Sequence, residues 1–166
     1  MSESPYHPKR AAYQGLGRIG LLVHPGGDLI TSDWNEIATR IEEHRPIVKC
    51  LVMWGDGTLS IRQLSLFVEI QKVSDLPIVM FTDSSMTRGL MKLKQWFSIK
   101  HQVFSKRSLE NGLKSLGLTR NELQTVKKTI QEMERMIDWS IRSSSRISLK
   151  PIEPHDPSYP KPEKLR

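Results

Sequence analysis

Ile47-Val48-Lys49-Cys50-Leu51-Val52-Met53-Trp54, running into Gly55-Asp56-Gly57-Thr58, is the stretch on which the reading of this chain turns. It is almost uninterrupted apolar and too short for a buried helix, as a strand covered on both faces should be. The small polar cluster that follows reads as a strand-end loop. The same phrase recurs to either side. Ile19–His24 leads into His24-Pro25-Gly26-Gly27-Asp28, Pro77–Thr82 leads into Thr82-Asp83-Ser84-Ser85, and Ile99–Ser105 is a fourth run. Amphipathic stretches of helical spacing separate them. This alternation predicts an α/β fold, a small mixed and mostly parallel sheet with flanking helices. A parallel layer gathers its strand-end loops along one edge, where such folds usually keep their sites.

Outward from that core, Ala11–Gln14 with Gly15 and Gly17 predicts an edge strand and hairpin turn before Ile19. Thr31-Ser32-Asp33-Trp34-Asn35-Glu36 opens a helix with a small polar cap. Trp34, Ile37, Ala38 and Ile41 give it an apolar stripe, and Pro46 ends it. Thr58 or Ser60 caps the next helix. Thr82–Ser85 caps another that runs to about Phe97, and Gly117 stops a short helix over Ser108–Leu116.

From Thr119 the pattern changes. Leu123, Val126, Ile130, Met133 and Ile137 are spaced 3, 4, 3 and 4 apart, a coiled-coil seam on a helix spanning 119–142. Such a seam either pairs with a second copy, making a homo-oligomer, or packs back on the domain. Ser143-Ser144-Ser145 marks a linker into a Pro-rich basic tail, 143–166. There Pro151, Pro154, Pro157 and Pro160 recur every third residue, with Pro162 after them. Polyproline II has three residues per turn, so these prolines line one edge of an extended arm suited to an aromatic-lined groove. Ile152, Tyr159 and Leu165 are its candidate anchors. Residues 1–10 read as a disordered lead and 11–118 as the α/β domain.

The chain has 166 residues, enough to bury a real core. Its single cysteine, Cys50, lies in an apolar run and is expected to be a buried, inert thiol in a reducing compartment. No apolar run approaches the ~20 residues needed to cross a bilayer, and the first residues lack a signal-peptide core, so a cytoplasmic protein is expected. The net charge of +7 is spread along the chain. The exception is Ser84–Leu109, where Arg88, Lys92, Lys94, Lys100, Lys106 and Arg107 stand without one acidic residue. Such a patch suits an acidic protein partner, a nucleic acid or a phosphate ligand, although a solvated helix face explains it as well.

Fingerprints of chemistry are sparse. The loop His24–Asp28 lacks the spacing of a dinucleotide or P-loop motif, and no His, Cys or carboxylate stands at metal-ligand spacing around His24. No metal, cofactor or catalytic residue is assigned. Asp56, Thr82 and Lys106 match the skeleton of a phosphoacceptor receiver domain: an Asp after a central strand, a hydroxyl after the next and a Lys after the last. One βα unit and the paired acids after the first strand are missing from that skeleton. Helix N-capping accounts for Asp56 and Asp83 without any chemistry. Thr58, Ser60 and Ser84 are candidate phospho-switch positions, since a phosphate at a helix start is stabilised by the helix N-terminus and by Arg88.

The order β-β-α-β-α-β-α-β-α, with the strand phrases Val48–Met53 and Pro77–Phe81 and the final helix Ser108–Leu113, resembles the STAS domain over Ala11–Leu118. This is the fold of anti-sigma-factor antagonists and of the SpoIIAA-like group. The resemblance implies a bacterial, non-enzymatic regulator or scaffold that binds a protein partner, some relatives being switched by phosphorylation of a serine after the third strand. In place of the family's Asp-Ser-x-Gly, this loop reads Gly55-Asp56-Gly57-Thr58-Leu59-Ser60. The partner-binding residues expected are Arg88, Lys92 and Lys94 on the domain, and Pro151, Pro154, Pro157, Tyr159 and Pro160 on the arm.

Overall fold

A computed structural model describes residues 8–57, 60, 65, 76–85 and 101–148, with side chains to 144. It is an α/β fold around a mixed, mostly parallel five-stranded sheet. The strands are β1 (Ala12–Leu16), β2 (Ile19–Val23), β3 (Cys50–Trp54), β4 (Ile78–Phe81) and β5 (His101–Phe104), and they lie side by side in chain order. Only the β1–β2 pair is antiparallel. The described helices are α1 (Thr31–His44), α2 (Leu109–Ser115, entered through a 3-10 turn at Lys106–Ser108) and α3 (Arg120–Ser148). The helices expected after β3 and β4 fall largely outside the described residues, as do Thr58, Arg88, Lys92, Lys94 and the arm with Pro151, Pro154, Pro157, Tyr159 and Pro160.

The hairpin is tighter than its glycines alone suggest. Leu16 pairs with Ile19 across a two-residue turn, and Gly17 at the first turn position has φ +57°, the left-handed region that glycine enters without cost. Gly15 instead lies within β1, where a Cβ would press on the His44 ring at 2.8 Å. That space is used. The Tyr13 hydroxyl meets His44 Nδ1 at 2.7 Å, and His44 Nε2 meets the Gly17 carbonyl at 2.7 Å, which ties α1 to the edge strand.

Strand alternation sorts the apolar residues into two layers. On one face Tyr13, Leu22, Leu51, Met53, Ile78 and Met80 pack with Ile37 and Ile41 of α1. On the other, Ile19, Leu21, Val23, Val52, Val79 and Phe81 pack with Leu113 of α2 and with α3. The whole seam of α3 is spent here: Leu123, Val126, Ile130, Met133 and Ile137 are all buried against the sheet. Of the two fates open to that seam, the chain's own packing takes it, and those side chains are not available to a second copy. Burial also pushes the Cys50 thiol up to about 11, which leaves it protonated and inert.

Three details depart from the sequence reading. The N-cap of α1 is Ile30, with no side-chain cap, and the buried Asp33 instead accepts the Arg10 amide at 2.8 Å. Residues 8–10 are ordered rather than part of a loose lead, because the Lys9 amide also bonds Ser140 Oγ at 2.9 Å. Helix α3 runs through the serine run to Ser148 rather than stopping at 142. Serine is only mildly unfavourable in a helix interior, and Ser144 Oγ donates back to the Ser140 carbonyl at 3.0 Å. At the start of α3, Thr119 and Glu122 exchange hydrogen bonds as a capping box.

Candidate functional site

The carboxyl ends of β3, β4 and β5 bring Asp56, Thr82 and Lys106 into direct contact. Asp56 Oδ1 accepts from Thr82 Oγ1 at 2.8 Å and from the amides of Asp83 and Ser84 at 2.7 and 3.1 Å. Its other oxygen, Oδ2, accepts from Lys106 Nζ at 2.7 Å. Burial works against the charged carboxylate, but these hydrogen bonds, together with the charge of Lys106, outweigh it and bring the pKa down to about 2. Asp83 repeats the arrangement one strand on, accepting from Ser105 Oγ at 3.0 Å and the Lys106 amide at 3.2 Å. The capping expected of both acids is therefore real in kind but different in address. Each satisfies the strand end beside its own.

Glycine makes this crossing possible. A Cβ on Gly55, at φ +133°, would overlap the His24 carbonyl, and one on Gly57 would overlap the His24 imidazole. The Gly-Asp-Gly loop therefore lies flat under the β2 loop, held by Gly57 N–H to the His24 carbonyl at 3.0 Å and Asp56 N–H to the Pro25 carbonyl at 3.2 Å. His24 is buried, and neither ring nitrogen meets a hydrogen-bond partner among the described residues. Burial holds its pKa below the ordinary histidine value, tempered by the nearby carboxylates Asp33 and Asp28.

Chemically, the network is an oxyanion cradle already filled by a carboxylate from the same chain. The amides after β4, the Thr82 hydroxyl and the Lys106 ammonium are the donors that hold a phosphate in other proteins. Asp28, in the loop after β2, is exposed. Among the described residues no three His, Cys, Asp or Glu side chains are grouped to hold a metal ion. Of the candidate switch positions, Ser84 joins the network through its amide, Ser60 is exposed, and Thr58 lies outside the described residues.

A link leads from this network to α3. Lys106 Nζ lies 5.4 Å from the centre of the Trp54 ring, in cation–π range. Trp54 Nε1 donates to Glu134 Oε1 at 2.7 Å. Two residues further along α3 begins a surface of a different character. Met136, Trp139 and Ile141 are 57, 68 and 40 % exposed. Met136 and Trp139 border a groove of about 670 Å³ between α3 and the terminal strand β1, floored by Ala12, Tyr13 and Met133. Lys9, Arg40 and Arg135 rim it, and among the described residues no acidic side chain lines it.

Motif reading overlooked this groove because it searched for chemistry. The available signal was Met136 and Trp139 themselves, two large apolar residues one turn apart that fall off the seam of α3. No protein-family model matches this chain, and no curated protein or solved structure shows a significant match to it.

Proposed function

We propose that this chain is a non-enzymatic protein-interaction module, a STAS-like regulator or scaffold, that takes a protein partner in the groove between β1 and α3. The observation that carries the reading is the exposed Met136–Trp139 pair beside a concave apolar floor at a sheet edge. Exposed apolar surface of this kind, rimmed by charge, is what protein-binding sites present. An antiparallel β1–β2 hairpin leading a parallel sheet supports the STAS-like part of the proposal. A rim of Lys9, Arg40 and Arg135 favours a partner with acidic residues around apolar anchors.

The convergence of Asp56, Thr82 and Lys106 favours a second reading, a receiver-like phosphoacceptor. Against it stands the saturation of Asp56, whose oxygens receive four internal hydrogen bonds and are held by them where they are. Incubation with acetyl phosphate and Mg²⁺, followed by intact mass measurement, separates the two: an adduct lost in Asp56→Asn supports the phosphoacceptor.

The interaction module is tested by affinity capture from the native cell, with and without nuclease, using the wild-type chain and Met136→Glu/Trp139→Glu. One protein recovered in near-stoichiometric amount by the wild type and lost with the variant is the expected result. Equal recovery by both chains overturns the groove. Recovery of nucleic-acid-binding proteins alone, abolished by nuclease, moves the function to the basic stretch 84–109.

A further inference from the structure

The groove has a candidate occupant in the same chain. We propose that residues 151–160, Pro-Ile-Glu-Pro-His-Asp-Pro-Ser-Tyr-Pro, dock back into the β1–α3 groove and cover it. This rests on the reading of the groove as a protein-binding surface and adds to it an internal competitor.

Three observations converge. The first is charge. Residues 151–160 carry Glu153 and Asp156 and no Lys or Arg, in a chain of net charge +7, whereas Lys9, Arg40 and Arg135 rim the groove and no acid lines it among the described residues. Lys9 and Arg40 share Glu36, which lies outside the groove lining, at 2.9 and 3.1 Å; these exposed pairs offset part of their charge, so Arg135 is the main cation offered to an acidic segment. The second is periodicity. In a three-residue repeat Glu153, Asp156 and Tyr159 fall on one edge and the prolines on another, with ~9 Å between successive residues of an edge. An acidic edge that ends in an aromatic suits a cationic rim beside an apolar floor, and a proline edge suits the exposed Trp139 ring.

The third is reach. Helix α3 ends at Ser148, thirteen residues or ~20 Å beyond Arg135. A segment leaving Ser148 and turning back covers ~37 Å over residues 149–160 at the polyproline rise. That suffices to bring Glu153 past Trp139 and Asp156 alongside Arg135. Few rotatable backbone angles need be fixed in so proline-rich a segment, so little entropy is lost on docking.

The test uses the full chain throughout. The indole N–H resonance of Trp139, assigned with Trp139→Phe, is recorded at low ionic strength for the wild type, for Glu153→Lys/Asp156→Lys and for Arg135→Glu. Docking predicts that both variants move the resonance by more than its linewidth toward one common position. Combining Arg135→Glu with Glu153→Lys/Asp156→Lys moves it back toward the wild-type position, because the swapped charges again attract. An unchanged resonance in Glu153→Lys/Asp156→Lys overturns the proposal. A shift that fades on dilution also overturns it, since the occupant is then a second copy. Partner capture is a separate readout: Glu153→Lys/Asp156→Lys is expected to recover more partner than the wild type. A resonance that shifts as predicted while capture ignores both the tail and Met136→Glu leaves the docking standing and removes the groove as the partner site.

Discussion

The strand-end network and the β1–α3 groove are built on opposite rules. At the ends of β3, β4 and β5 the acidic side chains have found internal partners: the Asp56 carboxylate alone receives the Thr82 hydroxyl, two amides and the Lys106 ammonium. In the groove the apolar groups have not found theirs, and Trp139 keeps most of its surface in water. A site that has satisfied itself resists exchange, because any incoming ligand must replace bonds already made. A surface with apolar area still exposed gains by being covered. The difference teaches that polar groups gathered at one edge can be spent on the fold itself, while the exposed Met136–Trp139 pair leaves apolar surface still to be covered.

The comparison can be broken at its foundation first. Val79 lies in β4 between two layers, 1 % exposed, so Val79→Asp places an unpaired charge in the core and should cost about 4 kcal/mol or more, or abolish soluble expression. Pro77→Asp, two residues earlier and exposed, should change stability by less than about 0.5 kcal/mol. Urea unfolding measures both. A soluble Val79→Asp chain with an unshifted midpoint contradicts the doubly covered strand.

Next in size is the network itself. Asp56→Ala strands four donors at the ends of β4 and β5, and a loss of about 2 kcal/mol is expected, since the carboxylate is 35 % exposed and water repairs part of the damage. Asp56→Asn keeps an acceptor for Thr82 and the amides and should lose less. Equal stability of wild type and Asp56→Ala would mean that the network is ornamental.

Acid sharpens the same point. The folded pKa of Asp56, about 2, lies below its unfolded value, so its contribution is present above pH ~4 and is lost as pH falls toward 2. Glu122, held down to about 2 by Arg18 and by the Thr119 amide, acts in the same direction and window. His24 acts earlier. Its folded pKa is depressed, so below pH ~6.5 the unfolded chain takes up a proton that the fold refuses, and stability declines with falling pH. Proton NMR should find that the ring resonances removed by His24→Asn titrate below the ordinary histidine value. Titration of all five at the ordinary value contradicts the buried imidazole.

The smallest effect on stability belongs to the groove. Met136→Glu and Trp139→Ala alter exposed side chains and should leave the unfolding midpoint within about 0.5 kcal/mol of wild type. Their effect on partner capture should nevertheless exceed tenfold, as expected for aromatic anchors. A variant that loses stability in proportion to binding would show that these residues hold the fold together instead.

Local patterns reached far into this protein. Apolar runs too short for helices, ended by glycine or aspartate clusters, were enough to read β2, β3 and β4, because a doubly buried strand leaves no other use for such a run. Gly117 and the Thr119–Glu122 box marked the ends of α2 and α3 by backbone chemistry that acts within one turn. What the seam of α3 packs against was not legible, since 3-4 spacing specifies an apolar face and not its partner. The exposed second face of the sheet decided it. The receiver-like skeleton put Asp56, Thr82 and Lys106 at one edge of the sheet, but not the bonds Asp56 makes there. A side chain that could cap its own loop caps the neighbouring strand end, 26 residues away in sequence, because two glycines let the loop sit close enough. The groove is the purest case: Tyr13, Arg40 and Trp139 come together only when β1 becomes the sheet edge and α3 closes the layer above it. Sequence periodicity determines which face of each element is apolar, and three-dimensional packing decides which of those faces remain uncovered.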